Sequence, residues 1–263
     1  MTRRAFSMIG MLMTLLCMFM LMAIAIPAIQ QSMTGLKEDG GKVPVSGWGM
    51  QDQVNLYALM QGLNTTGLST GEGMPVPSEV SGSRDSSDDT TANLYSLLIM
   101  QRYVSPEKLV SKADYMVDPD DDYDWSVYDP REGIYWDSSF SADLADISNV
   151  SYAHMPLYGD RLKDHWGANM SLSSRFPLFG NRGPEDGIET EESYACFDGK
   201  WGGYVAFGDG HVEFLGSPSA YRGNLKSGGV DGLFSIDDTR RHSDAILGFT
   251  SRMRSDGPVL QWD

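Results

Sequence analysis

The sequence predicts an α+β protein in which an N-terminal transmembrane α-helix precedes an exposed globular domain with an antiparallel β-sheet. Three observations carry that prediction. No charged residue lies between Arg4 and Lys37. Apolar residues recur at helical spacing across Gln51–Leu63. Alternating apolar residues flank Asp209-Gly210 near the end of the chain.

The first element is the uncharged run that begins at Ala5. About 20 apolar residues in a helix cross the ~30 Å hydrocarbon core of a bilayer. Arg3 and Arg4 precede the run and an acidic remainder follows it, which places the short N-terminus in the cytoplasm. The spanning helix is assigned to residues 6–35, and residues 36–263 then face outward. Pro27 removes one helical hydrogen bond and is expected to kink the helix near the outer membrane face. Two other readings of this segment stay open. Ala23-Ile24-Ala25 offers a signal-peptide cleavage site, although the apolar region before it is long for one. A plain signal anchor fits the same hydropathy.

Gly40-Gly41 and Pro44 forbid a long continuation of that helix. The next helix is expected over Gln51–Leu63, where Leu56, Leu59, Met60 and Leu63 share one face. Val54 and Tyr57 would widen the stripe. Residues 64–91 are rich in Ser, Gly, Thr and Asp and contain Pro75 and Pro77, so they read as a flexible linker. A helix over Asn93–Val104 would bury Leu94, Leu97, Leu98 and Tyr103, and Ser105-Pro106-Glu107 would open a further short turn. Beyond Tyr115, aromatic and β-branched residues sit between Gly, Asp and Pro clusters, the pattern of short strands and turns. The clearest element is a hairpin over Gly203–Leu215 turning at Asp209-Gly210. The C-terminal stretch holds another hairpin or a short helix.

The formal net charge is -16, which repels phosphate backbones and argues against nucleic-acid binding. Cys17 lies in the apolar run and Cys196 in the distal domain, so an intramolecular disulfide is not expected. His154, His165 and His242 lack zinc-ligand spacing. Neither a phosphate-binding glycine loop nor a nucleophile elbow is present.

Arg3-Arg4-Ala5-Phe6-Ser7-Met8-Ile9 resembles the processing site of type IV pilins and type II secretion pseudopilins. In that family a basic leader, here residues 1–5, is removed before a phenylalanine that heads the apolar helix. The resemblance implies cleavage between Ala5 and Phe6 by a prepilin peptidase, and methylation of the new N-terminus. Pro27 stands where pilin helices commonly carry a kinking proline. Ala5 replaces the usual glycine, and Gly10 stands where the family usually has a glutamate. Val205–Phe214, with Asp209-Gly210 at its centre, looks like the C-terminal signature of planctomycete-type pilin-like proteins. The histidine of that signature is absent, since Gly199 occupies its position. Asn93–Leu98, Ser105–Ser111 and Ser151-Tyr152-Ala153 resemble other segments of those proteins. The family implies a non-catalytic subunit or accessory of a type IV pilus or type II secretion pseudopilus. It also implies a pilin-like globular fold, location in the inner membrane with the domain in the periplasm or outside the cell, and other pilin-like subunits as partners. A freestanding membrane-anchored binding domain, or less favourably a secreted enzyme, is the alternative.

Two clusters are candidates for chemistry. Asp209 and His211 form a potential acid–base pair, but Asp-Gly is also what a tight turn demands, so no catalytic residue is expected. Asp118, Asp120, Asp122 and Asp124 have the alternating oxygen-ligand spacing that calcium sites use. Tyr123 stands where the helix-loop-helix calcium pattern requires glycine, and a solvated acidic loop is the plainer reading.

Overall fold

A computed structural model of the chain describes residues 47–70, 73–114, 116–117, 119, 123–166, 176–188, 194, 201–221, 223–224, 230–235 and 246–263. All of them belong to one compact unit, Pro44–Asp263. Ala5, Phe6, Gly10, Pro27 and the whole of the expected transmembrane helix lie outside the described residues. So do Asp118, Asp120 and Asp122. No helix among the described residues is long and apolar enough to cross a membrane.

The domain is α+β with antiparallel sheets. Helix α1 (Gly47–Thr70) is longer at both ends than its apolar spacing predicts. Leu56, Leu59, Met60 and Leu63 are buried as expected, but Val54 and Tyr57 are 55% and 44% exposed. The buried face instead takes in Asp52 and Asn55. At ~100° per residue, positions 52, 55, 56, 59 and 63 fall on one arc, while 54 and 57 lie on the opposite side. Gly62 permits a close approach: a Cβ there would meet the Tyr103 Cβ at 2.9 Å.

Residues 73–91 are not a free linker. Met74 and Val76 enter the core, and α2 (Pro77–Val80) starts with proline in its first turn. The buried Asp89 carboxylate accepts from the Ser78 N–H and hydroxyl, both at 2.9 Å. Ser83 Oγ donates to Asp88 at 2.7 Å, and Asp85 accepts the Ser87 N–H at 2.9 Å. The Ser/Asp composition that reads as solvated chain thus supplies local side-chain-to-backbone bonds that fix turns.

Helix α3 (Thr91–Met100) is capped by the Thr90 hydroxyl, which accepts the Asn93 N–H at 3.2 Å. Every residue from Leu94 to Met100 is buried, so this is a core helix rather than an amphipathic one. It stops short of the expected Val104 because Arg102 turns left-handed (φ 62°). The Tyr103 N–H then reaches Leu98 O and the Arg102 N–H reaches Ile99 O, which satisfies the last carbonyls. Pro106–Lys108 forms the short helical turn foreseen there.

Four strands make the main sheet, in the order β1 (Tyr152–His154), β2 (Pro177–Asn181), β3 (Gly203–Phe207), β4 (Val212–Leu215), all antiparallel. Strands β1, β2 and β3 are buried along their whole length. Helix α1 packs against β2, β3 and β4. Helix α4 (Gly159–His165) follows β1. A two-stranded pair, β5 (Gly223–Asn224) and β6 (Val230–Asp231), comes next. The C-terminal stretch is a hairpin of β7 (Phe249–Arg254) and β8 (Gly257–Gln261). It reaches the sheet edge where His154 and Gly248 exchange backbone hydrogen bonds of 3.2 and 3.1 Å.

The β3–β4 hairpin turns differently from the two-residue turn that Asp-Gly suggests. Gly208, Asp209 and Gly210 form a three-residue loop closed by Gly210 N–H to Phe207 O at 2.8 Å. Of the pair, Gly210 alone takes positive φ (89°), as a turn followed by a left-handed residue requires.

Candidate functional site

Among the residues singled out in the sequence, Asp209 and His211 do meet: the ring Nδ1 lies 2.5 Å from the carboxylate. Both are partly exposed at the hairpin tip, and the imidazole stacks on Phe207 with ring centres 4.4 Å apart. Burial alone would raise the Asp209 pKa, but the His211 backbone N–H and ring hold it below the ordinary carboxylate value. The pair closes a turn. Asp124, the described member of the acidic run, accepts the Ser126 N–H and hydroxyl at 2.8 and 2.6 Å and caps the helical turn Trp125–Val127. No group of three or more potential metal ligands occurs among the described residues.

Helix α1, β1 and β2 assemble a cluster that the sequence did not suggest. Asp52 on α1 is 3% exposed. Its carboxylate accepts from the Tyr152 hydroxyl on β1 (2.8 Å) and the Ser111 hydroxyl (2.8 Å). It also accepts from Asn181 Nδ2 on β2 (3.3 Å) and the Tyr194 hydroxyl (3.3 Å). Asn55, one helical turn along, donates to the Tyr152 hydroxyl at 3.1 Å. Burial lifts the Asp52 pKa above the ordinary carboxylate range, while its four donors pull it back. Burial likewise drives the Tyr152 hydroxyl well above its usual value, helped by the Asp52 charge.

A second cluster adjoins the first through Tyr194. Arg182 pairs with Asp114 through Nε (2.8 Å) and Nη2 (3.0 Å), and its Nη1 reaches Asp263 at 2.8 Å. The other Asp263 oxygen accepts the Tyr194 N–H at 2.7 Å, so the last side chain of the sequence is locked inside. Burial raises the Asp263 pKa, opposed by the Arg182 charge. One guanidinium serving two carboxylates is the planar, bidentate geometry in which arginine surpasses lysine.

His154, two residues along β1 from Tyr152, anchors a third network. Its Nδ1 lies 2.6 Å from Met155 O and its Nε2 2.8 Å from Thr91 Oγ1. A carbonyl only accepts, so Nδ1 carries the proton and the Thr91 hydroxyl donates to Nε2. Thr91 in turn accepts the Thr250 N–H at 2.7 Å. The ring is wholly buried, which depresses its pKa to about 4 and keeps it neutral. His165 instead stacks on Phe176, ring centres 3.8 Å apart.

These networks join elements and are sealed from solvent. Tyr152, Asn181 and His154 are 0% exposed. A cleft of about 220 Å³ lies elsewhere, lined in part by Asp186, Ser217, Ser219, Ser235, Leu233 and Phe234. Among its described lining residues there is no histidine, lysine or cysteine. Asp52 precedes Leu56 and Leu59 at i+4 and i+7, and Asn55 precedes Leu59 at i+4, so two polar residues lie on an apolar stripe. That interruption of a buried stripe was the available signal. No protein-family model matches the chain, and neither a curated protein nor a solved structure matches it.

Proposed function

We propose that this chain is a membrane-anchored, pilin-like envelope protein whose exposed domain is non-catalytic, a subunit or accessory of a type IV pilus or type II secretion pseudopilus. The observation that carries the reading is Arg3-Arg4-Ala5-Phe6 ahead of a run without charge as far as Lys37. The folded part accords with it in laying a helix on a four-stranded antiparallel sheet, with polar clusters that fasten elements together. The reading places the protein in the inner membrane, with a cytoplasmic N-terminus and the domain in the periplasm or beyond. A prepilin peptidase and other pilin-like subunits are its partners.

Gly10 favours an accessory over a self-assembling subunit. A carboxylate inside a membrane helix is costly unless a partner charge meets it, and this chain carries neither the cost nor the contact. Robust filaments of this chain alone would overturn that part of the reading.

Mass spectrometry of the mature N-terminus tests the whole. The expected result is a chain beginning at methylated Phe6. A chain beginning near Ile26 would establish an ordinary signal peptide, and retention of Met1 or Thr2 a signal anchor. Either would leave the freestanding exoplasmic domain as the better account.

A further inference from the structure

The loop that leaves the core at Asp124 and returns at Asp137 holds large apolar side chains outward. Trp125, Tyr128 and Ile134 are 43%, 48% and 41% exposed. Unfastened loops bury such groups or collapse, and this one is fastened at both ends. The Asp124 N–H bonds the buried Asp137 carboxylate at 3.0 Å, and the Tyr123 hydroxyl donates to Ser96 O at 2.6 Å. Trp125 is held edge-on to Tyr123 with ring centres 5.0 Å apart, its Nε1–H directed at Ile99 O. Asp129 and Ile134 exchange backbone bonds of 3.0 and 2.9 Å across the tip. Tyr128 meets Tyr135 edge-to-face at 6.4 Å. A rigid display of Trp and Tyr is the composition of interaction hot spots, and its rigidity removes most of the ordering cost of binding.

Charge selects the occupant. Asp124, Asp129 and Glu132 are exposed on the same loop, with Arg131 its one basic residue. The chain as a whole carries -16. A second copy would bring the same carboxylates against these, and like-charge juxtaposition disfavours that pairing. Nucleic acid and anionic lipid are repelled for the same reason. Lysine or arginine side chains suit such a surface: methylene stems pack on exposed apolar and aromatic side chains, and the charges gain over aromatic faces and beside carboxylates. We propose that the Asp124–Trp136 loop is a docking surface for a basic, partly apolar segment of another protein. This inference does not depend on the pilin-like reading, and its test is separate from processing at Phe6.

The experiment uses the full chain in a non-ionic detergent, with empty micelles as the blank. Fluorescence anisotropy follows a labelled peptide alternating lysine, leucine and glycine, and its glutamate counterpart. The expected result is binding of the lysine peptide alone, weakened roughly ten-fold or more in Trp125→Ser/Tyr128→Ser, which changes no charge. Glu132→Lys, a reversal on an exposed side chain, should weaken it as well. That single variant decides the matter should the double variant lose its native circular dichroism. Equal affinity in wild type and Glu132→Lys would reduce the binding to diffuse attraction and overturn the proposal. So would displacement of the peptide by a neutral glucan, or failure of the lysine peptide to bind at all.

Discussion

Lowering the pH should destabilise this domain through His154. The ring is wholly buried with its pKa depressed to about 4, against 6.5 for an unperturbed histidine. The unfolded chain therefore takes up a proton between pH 6.5 and about 4 that the folded chain refuses. Stability contributed by the neutral ring is complete above that window and is lost as pH falls through it. A gap of this size corresponds to ~3 kcal/mol in full, and roughly 2.5 kcal/mol between pH 7.5 and 4.5. Against a typical total of 5–15 kcal/mol the loss is large. Asp52 and Asp263, with raised pKa values, act with the opposite sign, since a raised carboxylate pKa favours the folded state as pH falls. Their contribution is common to wild type and variant. The assay is urea unfolding of the full chain in detergent, followed by far-ultraviolet circular dichroism at both pH values, for wild type and His154→Gln. Glutamine keeps an acceptor for the Thr91 hydroxyl but does not titrate. The variant should be less stable at pH 7.5 by about 1–3 kcal/mol, because Met155 O loses its donor and the packing changes. It should lose about 2.5 kcal/mol less than wild type on acidification. Parallel pH profiles for the two proteins would refute the reasoning.

Asp52→Ala leaves the hydroxyls of Tyr152, Ser111 and Tyr194 and the Asn181 amide without their common acceptor. A loss of roughly 2–4 kcal/mol by urea unfolding is expected, with Asp52→Asn losing less. Gly62→Ala drives a Cβ to 2.9 Å from the Tyr103 Cβ. The overpacking, about 1–3 kcal/mol, should outweigh the ~1 kcal/mol gain in helix propensity and lower the melting temperature. If the Asp118–Asp124 run holds calcium, chelation should lower the melting temperature of the full chain, and Asp120→Asn/Asp122→Asn should abolish that sensitivity; identical melting with and without chelator removes the site.

Local periodicity made part of this molecule legible. Leu56, Leu59, Met60 and Leu63 are buried on α1 because helical spacing alone puts them on one face. The β3–β4 hairpin follows from alternation around a glycine that accepts positive φ, and α3 from a continuous apolar run. Local signals misled where polar residues serve as structural fasteners. The serines and aspartates before α3 fold onto one another, and Val54 and Tyr57 remain outside although both are apolar.

Helical and turning segments could be read from the residues alone, as could the net charge of -16 and the Arg3-Arg4 pair and apolar run that motivate the pilin-like reading. Folding in three dimensions was needed to bring Asp52 to Tyr152, 100 residues away, and to Tyr194, 142 residues away. It likewise brought His154 to Thr91, and Arg182 between Asp114 and Asp263. The physical reason is range. Helix and turn propensities act over a few residues, whereas a buried polar group is stable only beside its partner, and the chain path alone supplies that partner.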